Sequence, residues 1–164
     1  MSHIVSIMNR FFRQRKHPYH RTAALLYQQK LIEEHYSFLR CRIENNVLVC
    51  RGTVTGDSYK NQYQVEVRCV YGHEPSTKIV TPEDIQPSRY IHMYDDHTLC
   101  LHYPPDMKWT GRTAIFQYTI PWLLEWILYY EIYLRNGNIW EGPESPTHIT
   151  EADKNVTEDI IYHN

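Results

Sequence analysis

The chain has 164 residues, 42% of them hydrophobic and 22% charged, with 14 tyrosines, 4 tryptophans and a formal net charge of -2. That is enough for one domain with a substantial core and excludes a disordered chain. The four cysteines have neither the regular spacing of a secreted disulfide scaffold nor a CxxC pair for structural zinc, so they read as reduced thiols of a cytoplasmic protein.

Residues 1–20 read as a mobile basic start. Residues 1–32 contain no acid but carry Arg10, Arg13, Arg15, Lys16, Arg21 and Lys30, and MSHIVSIMNRFFRQRK lacks the uninterrupted apolar core of a secretory signal. A solvated basic face is the plainest reading. A docking surface for an acidic protein comes next and nucleic acid last, because no aromatics interleave with base-reading side chains. Leu25, Leu26, Leu31 and Ile32 then predict a first amphipathic helix over about Arg21 to His35.

Three alternating runs follow, Ser37 to Glu44, Val47 to Val54 and Asn61 to Tyr71. They are joined by Asn45-Asn46 and by a loop around Thr55-Gly56-Asp57-Ser58, which predicts an antiparallel meander. A fourth, short strand is expected near Lys78 to Thr81, between Pro75 and Pro82. Arg89 to Trp109 reads as an irregular segment, stopped by Pro104 and Pro105. A second helix is predicted from Pro121 to Arg135, capped by Asn136-Gly137, with Trp122, Leu123, Trp126, Ile127, Tyr130 and Leu134 as its apolar face. The stretch Ile115 to Leu134 nears membrane-spanning length but holds Gln117, Pro121, Glu125 and Glu131, so a buried helix and no membrane partner are expected. Residues 149–164 form an acidic tail. The order of elements is α+β, without internal repeats.

The segment RYIHMYDDHTLCLHYPPDMKW is the candidate site. Cys41, Cys50 and Cys69 each fall on the apolar phase of a strand, as core thiols do. If Thr98 to Tyr103 is extended, Leu99, Leu101 and Tyr103 share one face, and Cys100 lies on the polar face with Thr98 and His102. A thiol on the polar phase, with His92, His97 and His102 nearby, suits a reactive thiolate.

This order of elements, with a cysteine in the irregular segment before the last helix, resembles the ubiquitin-conjugating-enzyme (UBC-like) fold over residues 21–148. It is most similar to the stand-alone conjugating-enzyme-like proteins of short type II CBASS anti-phage operons. The features that carry the likeness are Leu99-Cys100-Leu101, Pro104, Trp109, the helix WLLEWILYYEIYL, Gly137, Trp140, Gly142-Pro143-Glu144 and His148. The resemblance implies that Cys100 accepts the C-terminal glycine of a partner protein as a thioester. The implied cargo is the operon's cGAS-like (CD-NTase) nucleotidyltransferase, which makes a cyclic-nucleotide alarm signal. It also implies that His92 mainly shapes the loop. His97 and His102 are candidates to polarise the thiol, and Asp95, Asp96 or Asp106 to take a proton from an incoming lysine.

One departure stands out. The eukaryotic motif is His-Pro-Asn, whereas His92 is followed by Met93 and Tyr94, so a backbone amide or His97 is expected to take over oxyanion stabilisation from the absent asparagine. The six glycines form no phosphate-binding loop, so no cofactor is expected and the cargo must arrive activated, by a separate activating enzyme or otherwise. Three alternatives compete. A catalytically inactive interaction module keeps the fold without the chemistry. A papain-like hydrolase needs its cysteine at a helix N-terminus. A metal site would gather His92, His97, Cys100 and His102, but strand alternation sets His97 opposite the other two positions on that strand.

Overall fold

The computed structural model describes residues 18–101 and 107–143. Most of the expected basic start, His102, Pro104, Pro105, Asp106, Glu144, His148 and the acidic tail lie outside the described residues.

Helix α1 spans Pro18–His35 and is followed by four strands, β1 Leu39–Glu44, β2 Val47–Val54, β3 Tyr63–Val70 and β4 Ser76–Thr81; helix α2 spans Thr119–Tyr133. The strands form one antiparallel meander in the order β1-β2-β3-β4. Asn45 and Asn46 both adopt positive φ (49° and 63°), the backbone that a two-residue hairpin turn requires. In β3, Tyr63, Val65, Val67 and Cys69 point into the core while the residues between them face outward.

The first helix corrects the expected apolar stripe. Leu25, Gln28 and Ile32 are its buried positions, and Leu26 is 53% exposed. Gln28 is tolerated inside because both ends of its amide are used: Nε2 donates to the Thr113 carbonyl at 3.0 Å and Oε1 accepts from the Ile115 amide at 3.1 Å. Those bonds tie the loop before α2 to α1. At the sheet edge, Gln29 Nε2 donates to the Cys41 carbonyl at 2.9 Å and Glu33 Oε1 accepts from the Cys41 amide at 2.9 Å, covering outward groups of β1.

Cys41 and Cys50 are buried as expected, but they are not reduced thiols: they form a disulfide between β1 and β2. They face each other in the strand register with Cα atoms 4.0 Å apart, and the outward-pointing amide and carbonyl of Cys41 mark a pair of the closely spaced type. Cys69 and Cys100 lie outside any disulfide.

Helix α2 buries Ile120, Leu123, Trp126, Ile127 and Tyr130, spaced three and four apart. It ends two residues before the expected Arg135, with Gly137 (φ 80°) and Asn138 (φ 66°) in the turn beyond. Glu131 is also buried, at 1% exposure. Its carboxylate accepts from the Tyr63 hydroxyl at 2.6 Å, from the Lys60 and Asn61 amides at 2.8 and 3.2 Å, and from Arg135 at 3.3 Å. Burial alone pushes the Glu131 pKa up, but these bonds outweigh it and hold the group below the usual carboxylate range. No helix among the described residues is long and apolar enough to cross a membrane.

Candidate functional site

The segment leading to Cys100 is more regular than its composition suggests. Arg89–Ile91 form one turn of 3-10 helix, with Ser88 Oγ accepting from the Tyr90 amide at 3.1 Å. His92 then takes a left-handed conformation (φ 56°) and ends the turn. From there the chain doubles back as a hairpin. The Cys100 amide donates to the His92 carbonyl at 2.8 Å, Met93 bridges Leu99, and the Tyr94 amide donates to the Thr98 carbonyl at 2.8 Å.

The turn is Tyr94-Asp95-Asp96-His97, closed by the His97 amide on the Tyr94 carbonyl at 2.8 Å. His97 supplies the left-handed residue (φ 66°), and Asp96 Oδ1 accepts both the amide of Thr98 at 3.0 Å and its hydroxyl at 2.6 Å. A three-residue loop closed by a left-handed residue is a common hairpin connection, and Asp side chains stabilise it by bonding their own backbone. His97 therefore sits in the turn of the hairpin and not in an extended run with Thr98. Asp96 is occupied with the same turn; the Thr98 hydroxyl first, then the Thr98 amide, holds its carboxyl below the usual range, which ill suits the expected proton acceptor.

Two supports fix this hairpin to the fold. On one side the Leu99 amide donates to the Thr77 carbonyl at 2.8 Å and Thr98 bridges Lys78, so the hairpin lies along β4. On the other, Trp126 Nε1 donates to the Ile91 carbonyl at 2.7 Å. The His92 ring is buried with its centroid 5.6 Å from that of Trp140, which packs in turn near Trp126 and Tyr129. Trp140 is held by its own amide on the Tyr90 hydroxyl at 3.0 Å.

Cys100 is half-buried, one residue beyond the anchored Leu99. Cys69 has the opposite surroundings: burial pushes its thiol up to about 12, which keeps it protonated and inert. The Tyr94 and Cys100 side chains interact across the hairpin. That interaction first, and burial second, push the Tyr94 pKa up to about 12, so its proton stays in place near neutral pH.

The structure thus joins His92 to Cys100 through the backbone and sets His97 in the adjoining turn; His102 lies outside the described residues. Tyr94 is a neighbour that the residue pattern did not single out. Its signal lies in the register: with His92 opposite Cys100, Tyr94 becomes a diagonal neighbour of Cys100 on the same hairpin face. Among the described residues no cluster of three or more His, Cys, Asp or Glu side chains is placed to hold a metal ion.

A comparison with curated proteins finds no match. Residues 28–148, most of the chain, match the family model described as Type II CBASS E2 protein. With the helix, four-stranded meander and later helix in the UBC-like layout, the chain belongs to the type II CBASS E2 family, the conjugating-enzyme-like proteins of CBASS anti-phage systems.

Proposed function

We propose that Cys100 carries an acyl group as a thioester, the C-terminal glycine of the CBASS nucleotidyltransferase, and passes it to an amine so as to regulate that enzyme in anti-phage defence. The observation that carries this reading is the position of Cys100: a half-buried thiol on a hairpin anchored to β4 on one side and to α2 on the other. Such anchoring lets a nucleophile meet a bulky acyl donor without losing its aim. The donor arrives activated, as an acyl adenylate or as a thioester on a separate activating protein. The Cys100 thiolate attacks its carbonyl carbon, a C–S bond forms, and adenylate or the donor thiolate leaves. His92 shapes the hairpin, while His97 and His102 polarise the thiol and Asp95 or Asp106 receives the proton of the incoming amine.

Incubation with the nucleotidyltransferase and an activating protein, followed by gels with and without thiol reductant, tests this. A reductant-labile band absent in Cys100→Ala is expected. Its persistence in that variant removes the carrier reading, and non-covalent co-purification alone would assign the protein to the inactive interaction modules.

A further inference from the structure

Acyl transfer to or from a thiol passes through a tetrahedral intermediate whose oxygen carries a negative charge, and a hydrogen-bond donor fixed beside it lowers the barrier. Several amides near Cys100 are already occupied. Those of Tyr94, His97, Thr98, Leu99 and Cys100 donate to the Thr98 carbonyl, the Tyr94 carbonyl, Asp96 Oδ1, the Thr77 carbonyl and the His92 carbonyl. Enlisting any of them for an oxyanion would break the hairpin that aims the sulfur. A side-chain donor avoids that cost.

Tyr94 meets the requirements. It is the diagonal cross-strand neighbour of Cys100 in the hairpin register, its side chain interacts with that of Cys100, and at 45% exposure its ring is not locked in the core. We propose that the Tyr94 hydroxyl is a catalytic hydrogen-bond donor, holding the Cys100 sulfur at rest and passing to the oxygen of the Cys100-bound acyl group when an amine attacks. The inference rests on the carrier reading above and adds a residue to it.

The step balances without redox chemistry. The amine nitrogen bonds to the thioester carbonyl carbon, and the π pair moves onto oxygen, where Tyr94 donates. Collapse restores the carbonyl and breaks the C–S bond. Cys100 leaves as thiolate, and the proton of the attacking amine passes to Asp95 or Asp106, as assigned above, and on to solvent. Tyr94 keeps its own proton throughout, as its raised pKa allows.

A small acyl donor tests this on the full chain without the cargo. The p-nitrophenyl ester of acetylglycine is used to load Cys100 to completion, excess ester is removed, and discharge to free lysine is followed by intact mass. Tyr94→Phe should reach complete loading and melt like the wild type but discharge about a hundredfold more slowly at saturating lysine, with the half-saturating lysine concentration unchanged. Discharge of Tyr94→Phe at the wild-type rate overturns the inference alone. So does an unchanged limiting rate with only a raised half-saturating lysine concentration, or slow discharge accompanied by loss of the cooperative melting transition. Failure of the wild type to form any Cys100 adduct overturns the carrier reading and takes this inference with it.

Discussion

Cys69 and Cys100 are the two thiols outside the disulfide, and their surroundings differ in kind. Cys69 stands on the inward phase of β3 at 1% exposure, among side chains arranged by sheet alternation. Cys100 stands where alternation gives out, on a hairpin whose shape depends on two left-handed histidines, an aspartate turn and two outside anchors. The first region is built for packing. In the second, backbone bonds hold the hairpin that presents a half-buried sulfur.

Alkylation of the native protein separates the two most widely. Cys100 should react with iodoacetamide directly and Cys69 only through opening of the core, at least about a thousandfold more slowly. Similar rates would erase the distinction, as mass mapping of the labelled peptides would show. On the core side, Glu131→Ala strands the Tyr63 hydroxyl and the Lys60 and Asn61 amides, and should cost about 3 kcal/mol in urea melts without slowing alkylation of Cys100.

The same carboxylate predicts an acid limit. Its folded pKa lies below its ordinary value of 4.5, so the unfolded chain takes up the proton first. The stability it contributes is complete above about pH 4.5 and is lost as pH falls through the lower folded value, and Glu131→Gln should flatten that loss. Cys69→Ala, removing one buried sulfur, should cost about 1 kcal/mol and leave acyl transfer unchanged. The smallest effect is a count: denatured, non-reduced protein should show two reactive thiols and not four.

What the sequence disclosed divides along the same line. Val47–Val54 is readable to the residue because turn residues bound it on both sides, Asn45-Asn46 before it and Thr55-Gly56-Asp57-Ser58 after it, and the inward phases of Cys41, Cys50 and Cys69 follow from period two. The disulfide was also within reach: counting outward from a two-residue turn at Asn45-Asn46 sets Cys41 opposite Cys50. The hairpin before Cys100 was hidden because histidine, not glycine, fills its left-handed positions, so composition read as irregular. Gln28 and Glu131 were hidden for a related reason. A buried polar group is legible only through its partners, and those partners lie far away in sequence.

The central claim is that Cys100 bears the cargo through a sulfur ester. Intact-mass analysis of the protein after incubation with activated nucleotidyltransferase, before and after hydroxylamine, tests it most directly. The account predicts a one-to-one adduct mapped to the Cys100 peptide and released by hydroxylamine. A hydroxylamine-resistant adduct, or one mapped to any other residue, would contradict it.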